Sequence, residues 1–272
     1  MDKKARVISV AIRKGGAGKT TTSTNLAAAL MRLNQRVLLV DADSQGNASK
    51  GLGINREASK WTLLEILEGK VEDPRAAIVT KEWTDHAPGL TLDVIPSHDE
   101  LDAAGLDMAV KTALAQMGMS RRPSGNVHSI RALVQKLGDS YDYIIIDTAP
   151  DEGLITLAAL AATNDVVIPY EAGAYNLDGL INAFKTIRKV QVESNPELTI
   201  HGILLTKTDS TMFTKQVAED LIPYADHIYP FRIPRRTWYN WTNEFGQPGV
   251  LSRPTEDGSQ SYMKLAEMLV NE

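Results

Sequence analysis

Residues Lys14-Gly15-Gly16-Ala17-Gly18-Lys19-Thr20-Thr21 place three glycines, two lysines and two hydroxyls in eight consecutive positions. Such a segment can cradle a polyphosphate. Glycines let successive backbone N–H groups turn inward where a side chain would block approach. A helix beginning here aims its unsatisfied N–H groups and partial positive charge at the same anion. Lys19 is spaced to reach the β- and γ-phosphates and Thr20 to ligate magnesium, which makes ATP and Mg2+ the expected ligands. The usual phosphate-loop pattern has a glycine five positions before Gly18, where this chain has Arg13; its variant has Lys14 directly before the paired glycines. Six such fixed positions arise by chance in a chain of this length at a frequency on the order of 10⁻⁵.

Acids stand at two further points. Asp41-Ala42-Asp43-Ser44-Gln45-Gly46-Asn47 follows one apolar run, and Asp147, then Thr148-Ala149-Pro150, follows another, Tyr143-Ile144-Ile145-Ile146. Carboxylates at the carboxyl ends of buried strands lie where open α/β sheets bind ligands. Asp147 is thereby expected to serve the magnesium site.

The elements that must hold these residues alternate. Val7–Ile12, Arg36–Asp41, Leu90–Ile95, Tyr143–Asp147, Asp165–Pro169, Ile203–Thr206 and Ile228–Phe231 read as strands. Thr20–Leu33, Leu154–Ala162, Leu177–Val192 and Gly258–Val270 read as helices, and Thr62 with Glu65 forms a capping box before Ile66-Leu67. This order predicts an α/β fold: a doubly wound, mostly parallel sheet flanked by helices, in one domain over 1–272. The polar stretch Met119–Asn126, with Arg121-Arg122, reads as an exposed loop.

Composition narrows the function. The 272 residues are 43% hydrophobic and 23% charged, which excludes disordered and fibrous classes. Without cysteine there is no thiol catalysis, thiolate zinc site or cysteine-held iron–sulfur cluster. The net charge of −5 means that any nucleic-acid binding must come from a local patch. No apolar run reaches the roughly 18 residues of a membrane span, and the short polar start leaves no room for a signal peptide; the cytoplasm is the expected compartment. The five histidines show no ligand spacing, so no metal is expected beyond the nucleotide's magnesium.

With these motifs in hand, the chain resembles the ParA/MinD (Soj-like) family of deviant Walker A ATPases over essentially its whole length. The resemblance implies that Lys14 reaches across an ATP-dependent homodimer to the partner's nucleotide. It implies that Asp43, within the magnesium site, orients or activates the attacking water, and that Asp41 serves magnesium's outer shell or the loop geometry. Ser44 and Ala149 stand where the family commonly has proline. Thr206-Lys207-Thr208-Asp209 and Ile233-Pro234-Arg235 resemble loops flanking adenine, with a structural role the other reading for both.

By the same resemblance the protein is a plasmid or chromosome partition ATPase. It would coat DNA non-specifically in its ATP state, associate with the nucleoid, and have its hydrolysis stimulated by a ParB-like centromere-binding partner. The usual DNA-binding arginines are replaced by Thr211 and Trp238; nearby cations are Lys207, Lys215, Arg232, Arg235 and Arg236. Trp238-Tyr239-Asn240-Trp241 has two readings, base stacking, or core and dimer interface. The alternative functions are positioning of a protein cargo and a membrane-surface regulator like MinD. The latter needs a basic amphipathic C-terminal helix, whereas Tyr262–Glu272 carries one lysine against two glutamates, and its apolar spacing suits packing on the domain, so no membrane partner is expected.

Overall fold

The computed structural model describes residues 4–106, 130–171, 177–209, 219–239 and 245–272. In chain order the elements are β1 (Arg6–Val10), α1 (Lys19–Arg32), β2 (Val37–Ala42), α2 (Asn47–Gly51), α3 (Leu63–Leu67), β3 (Val79–Glu82) and β4 (Thr91–Ile95). There follow α4 (Ile130–Leu137), β5 (Tyr143–Thr148), α5 (Leu154–Ala161), β6 (Asp165–Glu171), α6 (Leu177–Glu193), β7 (Thr199–Thr208), β8 (Ile228–Pro234), α7 (Gly249–Ser252) and α8 (Asp257–Asn271). The strands form one sheet in the order β3-β4-β2-β5-β1-β6-β7-β8, in which every neighbouring pair is parallel except β3 with β4.

The central strands are apolar throughout because both sheet faces are covered. Successive side chains go to opposite layers. Val37 and Leu39 of β2 join Ile8, Val10 and Ile145 in a core with Leu26 and Leu30 of α1 and Leu265 and Leu269 of α8. Leu38 and Val40 join Ile144 and Ile146 in the opposite core with Leu63 of α3, Leu133 of α4 and Ile155 of α5. Beyond β1, Val166, Ile168 and Ile203 pack with Leu180 and Ile187 of α6. The Thr62–Glu65 capping box opens α3: the Thr62 hydroxyl accepts from Leu64 N and the Glu65 carboxylate from Thr62 N.

Strand β3 is absent from the sequence-based expectation. Its four residues, Val-Thr-Lys-Glu, alternate between half-buried and exposed on an edge, and carry no apolar run to reveal them. Strands β7 and β8 also extend beyond the predicted cores, β8 through Ile233 and Pro234. The register decides what meets at the sheet's carboxyl edge. Val10 lies level with Asp147, and Asp41 lies level with Asp147 from the other side. One rim therefore collects the loop after β1, the acid ending β5 and the segment following β2.

Candidate active site

The loop after β1 is shaped by glycine where the backbone requires it. Gly16 and Gly18 have φ of +75° and +89°, in the left-handed region that a side chain strains. Gly18 also caps α1 without offering a side-chain acceptor, and the first turn of α1 holds no acidic residue. The N-terminus of α1 thus turns its partial positive charge to the loop with no carboxylate of its own first turn to offset it. The loop is pinned from β7, where the Thr206 hydroxyl donates to Ala17 O at 2.9 Å. Lys19 is buried, and its ammonium donates to Lys14 O at 3.1 Å, curling back over the loop. Burial lowers its pKa, while the charges of Asp147, Asp43 and Asp151 act in the opposite direction.

Thr20 and Ser23, three residues apart on one face of α1, both turn to Asp147. Thr20 donates to one carboxylate oxygen at 2.9 Å and Ser23 to the other at 2.6 Å. Asp41 accepts from the backbone N–H and hydroxyl of Ser49, at 2.8 and 2.7 Å. Both acids are fully buried. Burial pushes both pKa values up, reinforced at Asp147 by Asp41 and at Asp41 by Asp43. Two buried carboxylates and a threonine hydroxyl beside a phosphate cradle are hard oxygen donors whose charge a cation would offset, so these residues fit magnesium.

Asp43 sits above this pair on the loop leading to α2. Its N–H points to Asp41 Oδ1 at 3.4 Å, its carboxylate accepts from Gln45 N at 3.0 Å, and its carbonyl accepts from Gly46 N at 2.8 Å and from the Ser97 hydroxyl. Ser44, in the position expected to be proline, uses its hydroxyl to donate to Asp102 at 2.6 Å.

On the other side of the phosphate loop lies a cleft of about 210 Å³, lined by Gly18, Thr21, Lys207, Pro234, Arg235 and Tyr262 among others. Both segments expected to flank a base meet here: Arg235 N donates to Thr208 O at 2.9 Å. Glu171 ties their cations together, pairing with Arg235 at 2.8 Å and Lys207 at 3.7 Å, while Arg236 pairs with Asp257 at 2.8 Å. Of the described basic residues considered for DNA contact, Lys207, Arg235 and Arg236 therefore crowd the lip of this cleft and are engaged in ion pairs, whereas Arg232 is exposed on β8 and does not line it. Lys215 and Thr211 lie outside the described residues, as do Arg121 and Arg122.

Trp238 and Tyr239 pack inward, their rings 4.0 Å apart, with Tyr239 buried edge-on against Tyr262 and Gly249 held close to the Trp238 ring. Of the two readings of this cluster the structure takes the core one for these residues; Asn240 and Trp241 lie outside the described residues. Helix α8 turns Tyr262, Leu265 and Leu269 into the core, leaving no apolar stripe of those residues for a membrane surface. Among the described residues no helix is long and apolar enough to cross a membrane.

The structure also enlists residues not singled out from sequence. Ser23 was discoverable by helical spacing from Thr20. Ser49 and Ser97 carry no such signal, because each arrives from a separate stretch of chain, while Thr206, expected beside a base, also pins the phosphate loop.

Comparisons with known proteins agree with this geometry. Residues 5–200 match a family model described as an AAA domain. The chain is 35% identical to the chromosome partitioning protein ParA of Caulobacter vibrioides over 268 residues, 98% of this chain and 94% of that protein. It is 38% identical to the sporulation initiation inhibitor protein Soj of Bacillus subtilis over 264 residues, 96% and 97% of the two chains. Among solved structures it is similar to a cobyrinic acid a,c-diamide synthase from Mycobacterium smegmatis, crystallised with an ATP analogue and magnesium. The TM-score is 0.74 at 30% identity, over 98% of this chain and 94% of that one.

Proposed function

The chain belongs to the AAA-domain family defined by that match and, within it, to the ParA/Soj-type ATPases, and from this premise we propose that it is a partition ATPase whose ATP-bound homodimer binds DNA. The observation that carries the reading is the level placement of Asp41, Asp147 and the root of the phosphate loop at one sheet edge, with Asp43 beside them.

Residues 15–21 hold the triphosphate through backbone N–H groups, with the Lys19 charge on its outer phosphates, and the cleft of Lys207, Pro234 and Arg235 receives the base. Thr20 and Asp147 would hold magnesium, with Asp41 and Asp43 close by; the ion, when bound, neutralises phosphate charge and aids the leaving oxygen. Asp43 orients a water on the γ-phosphorus and accepts its proton as the bond from that phosphorus to the ADP oxygen breaks. Lys14 of each subunit extends to the nucleotide of the other, so the site is complete only in the dimer. In this reading residues 1–272 form one domain, closed by α8 through Leu265 and Leu269.

The dimer juxtaposes two basic cleft rims and with them binds DNA phosphates without sequence preference. A ParB-like centromere-binding protein stimulates hydrolysis, which releases the DNA and returns the subunits to the cytoplasm from the nucleoid. Electrophoretic mobility shift with ATP or ADP across a salt series tests this. An ATP-dependent shift that weakens steeply with salt is expected. No shift with ATP at low salt would favour positioning of a protein cargo by the same switch.

A further inference from the structure

One side chain outside the motifs reaches the loop that carries Asp43. Arg56 belongs to a short 3₁₀ turn, Arg56–Ala58, fixed by its cap: the Asn55 side chain accepts from Glu57 N at 3.1 Å. From there the Arg56 side chain, only 14% exposed, runs back under the segment 43–46. One guanidinium nitrogen donates to Ser44 O at 2.8 Å, and another pairs with Asp99. The guanidinium also lies close against Gly46: a Cβ built there would stand 2.5 Å from Arg56 Nη1 and 3.0 Å from Cζ. Gly46 has φ +62° and donates to Asp43 O at 2.8 Å, so it closes the turn that aims the Asp43 carboxylate. Ser97 holds the carbonyl of Asp43 from the other side. The turn is thus clamped between Ser97 and a guanidinium that touches two of its four residues.

We propose that Arg56 is a positioning residue for hydrolysis, acting through the turn 43–46 to hold Asp43 at the attacking water. This rests on the role of Asp43 given above. Arg56 itself touches neither the phosphate loop nor the acids of the magnesium site, so its loss alters turnover rather than nucleotide binding. A planar fork that bonds a carbonyl, pairs an acid and covers a glycine has no lysine equivalent.

The test is a double-mutant cycle on full-length protein: wild type, Arg56→Ala, Asp43→Asn and the double variant. The measurements are kcat and KM for ATP, single-turnover hydrolysis for the slow variants, and Kd for fluorescent ADP. Arg56→Ala is expected to lower kcat by about 10-fold or more with KM and the ADP Kd within twofold, and to have no further effect once Asp43 is Asn. Added guanidinium should restore part of the kcat of Arg56→Ala. Should that variant fold poorly, Arg56→Lys supplies the same comparison and is expected to show the same kcat defect. If Asp43→Asn abolishes turnover while Arg56→Ala leaves kcat within twofold, or lowers it equally in both backgrounds, the positioning role is overturned. If Asp43→Asn itself hydrolyses normally, the reading of Asp43 falls, and the inference with it.

Discussion

A carboxylate buried as fully as Asp147, with Asp41 level with it in the next strand, opposes folding until a cation joins it. Its pKa is raised in the native state, chiefly by burial and then by Asp41. From about pH 4 upward this carboxyl therefore binds more proton in the native state than in the unfolded chain, and its contribution to apo stability falls as pH rises toward neutrality. Magnesium with nucleotide should raise the melting temperature more at pH 8 than at pH 5, measured by differential scanning fluorimetry. Asp147→Asn removes the buried charge and is expected to raise the apo melting temperature by about 2–4 °C while reducing ATP turnover at least ~10²-fold. A lower melting temperature with normal turnover would refute the assignment. Lys19→Ala removes the one buried ammonium the phosphate loop curls around itself and should weaken nucleotide binding ~100-fold or more by equilibrium titration; retained affinity would move the site elsewhere.

At the scale of elements, the strands that position the site are the parts written most plainly in the sequence. Tyr143–Asp147 and Arg36–Asp41 are continuous apolar runs because helices cover both faces, and each ends on the acid the site uses. The Thr62–Glu65 box was equally legible, since both partners lie within one helical turn. Its replacement by Thr62→Ala should cost about 1 kcal/mol in chemical denaturation, with ATPase activity retained. What the sequence hid is non-local or polar: edge strand β3 has no apolar run, and Arg56 and Ser97 reach the site across gaps in sequence that no periodicity spans. The C-terminal helix lies between these cases. Its apolar spacing announced an inward face, and Leu265, wholly buried between α1 and the sheet, should cost about 2–5 kcal/mol as Leu265→Ala. Because that face is occupied, the protein should stay in the supernatant when anionic liposomes are sedimented with ATP; co-sedimentation would revive a membrane role.

For the whole molecule, an acidic chain of net charge −5 that binds DNA must concentrate its cations, and the cleft rim does so with Lys207, Arg235 and Arg236. Replacing Arg235 and Arg236 together by alanine should flatten the salt dependence of DNA binding. Each rim alone is small and partly neutralised by Glu171 and Asp257, so under the proposed function two rims paired across a dimer would supply the affinity of the ATP state for DNA. Dimer formation around nucleotide is accordingly the claim on which DNA binding, the reach of Lys14 and timed release all depend. Light scattering coupled to gel filtration of Asp43→Ala with saturating Mg-ATP addresses it directly. A particle of twice the 29.8 kDa chain mass is expected with ATP, reverting to one chain with ADP or on Lys14→Ala; a single-chain mass with both nucleotides would rule the nucleotide-clasped dimer out.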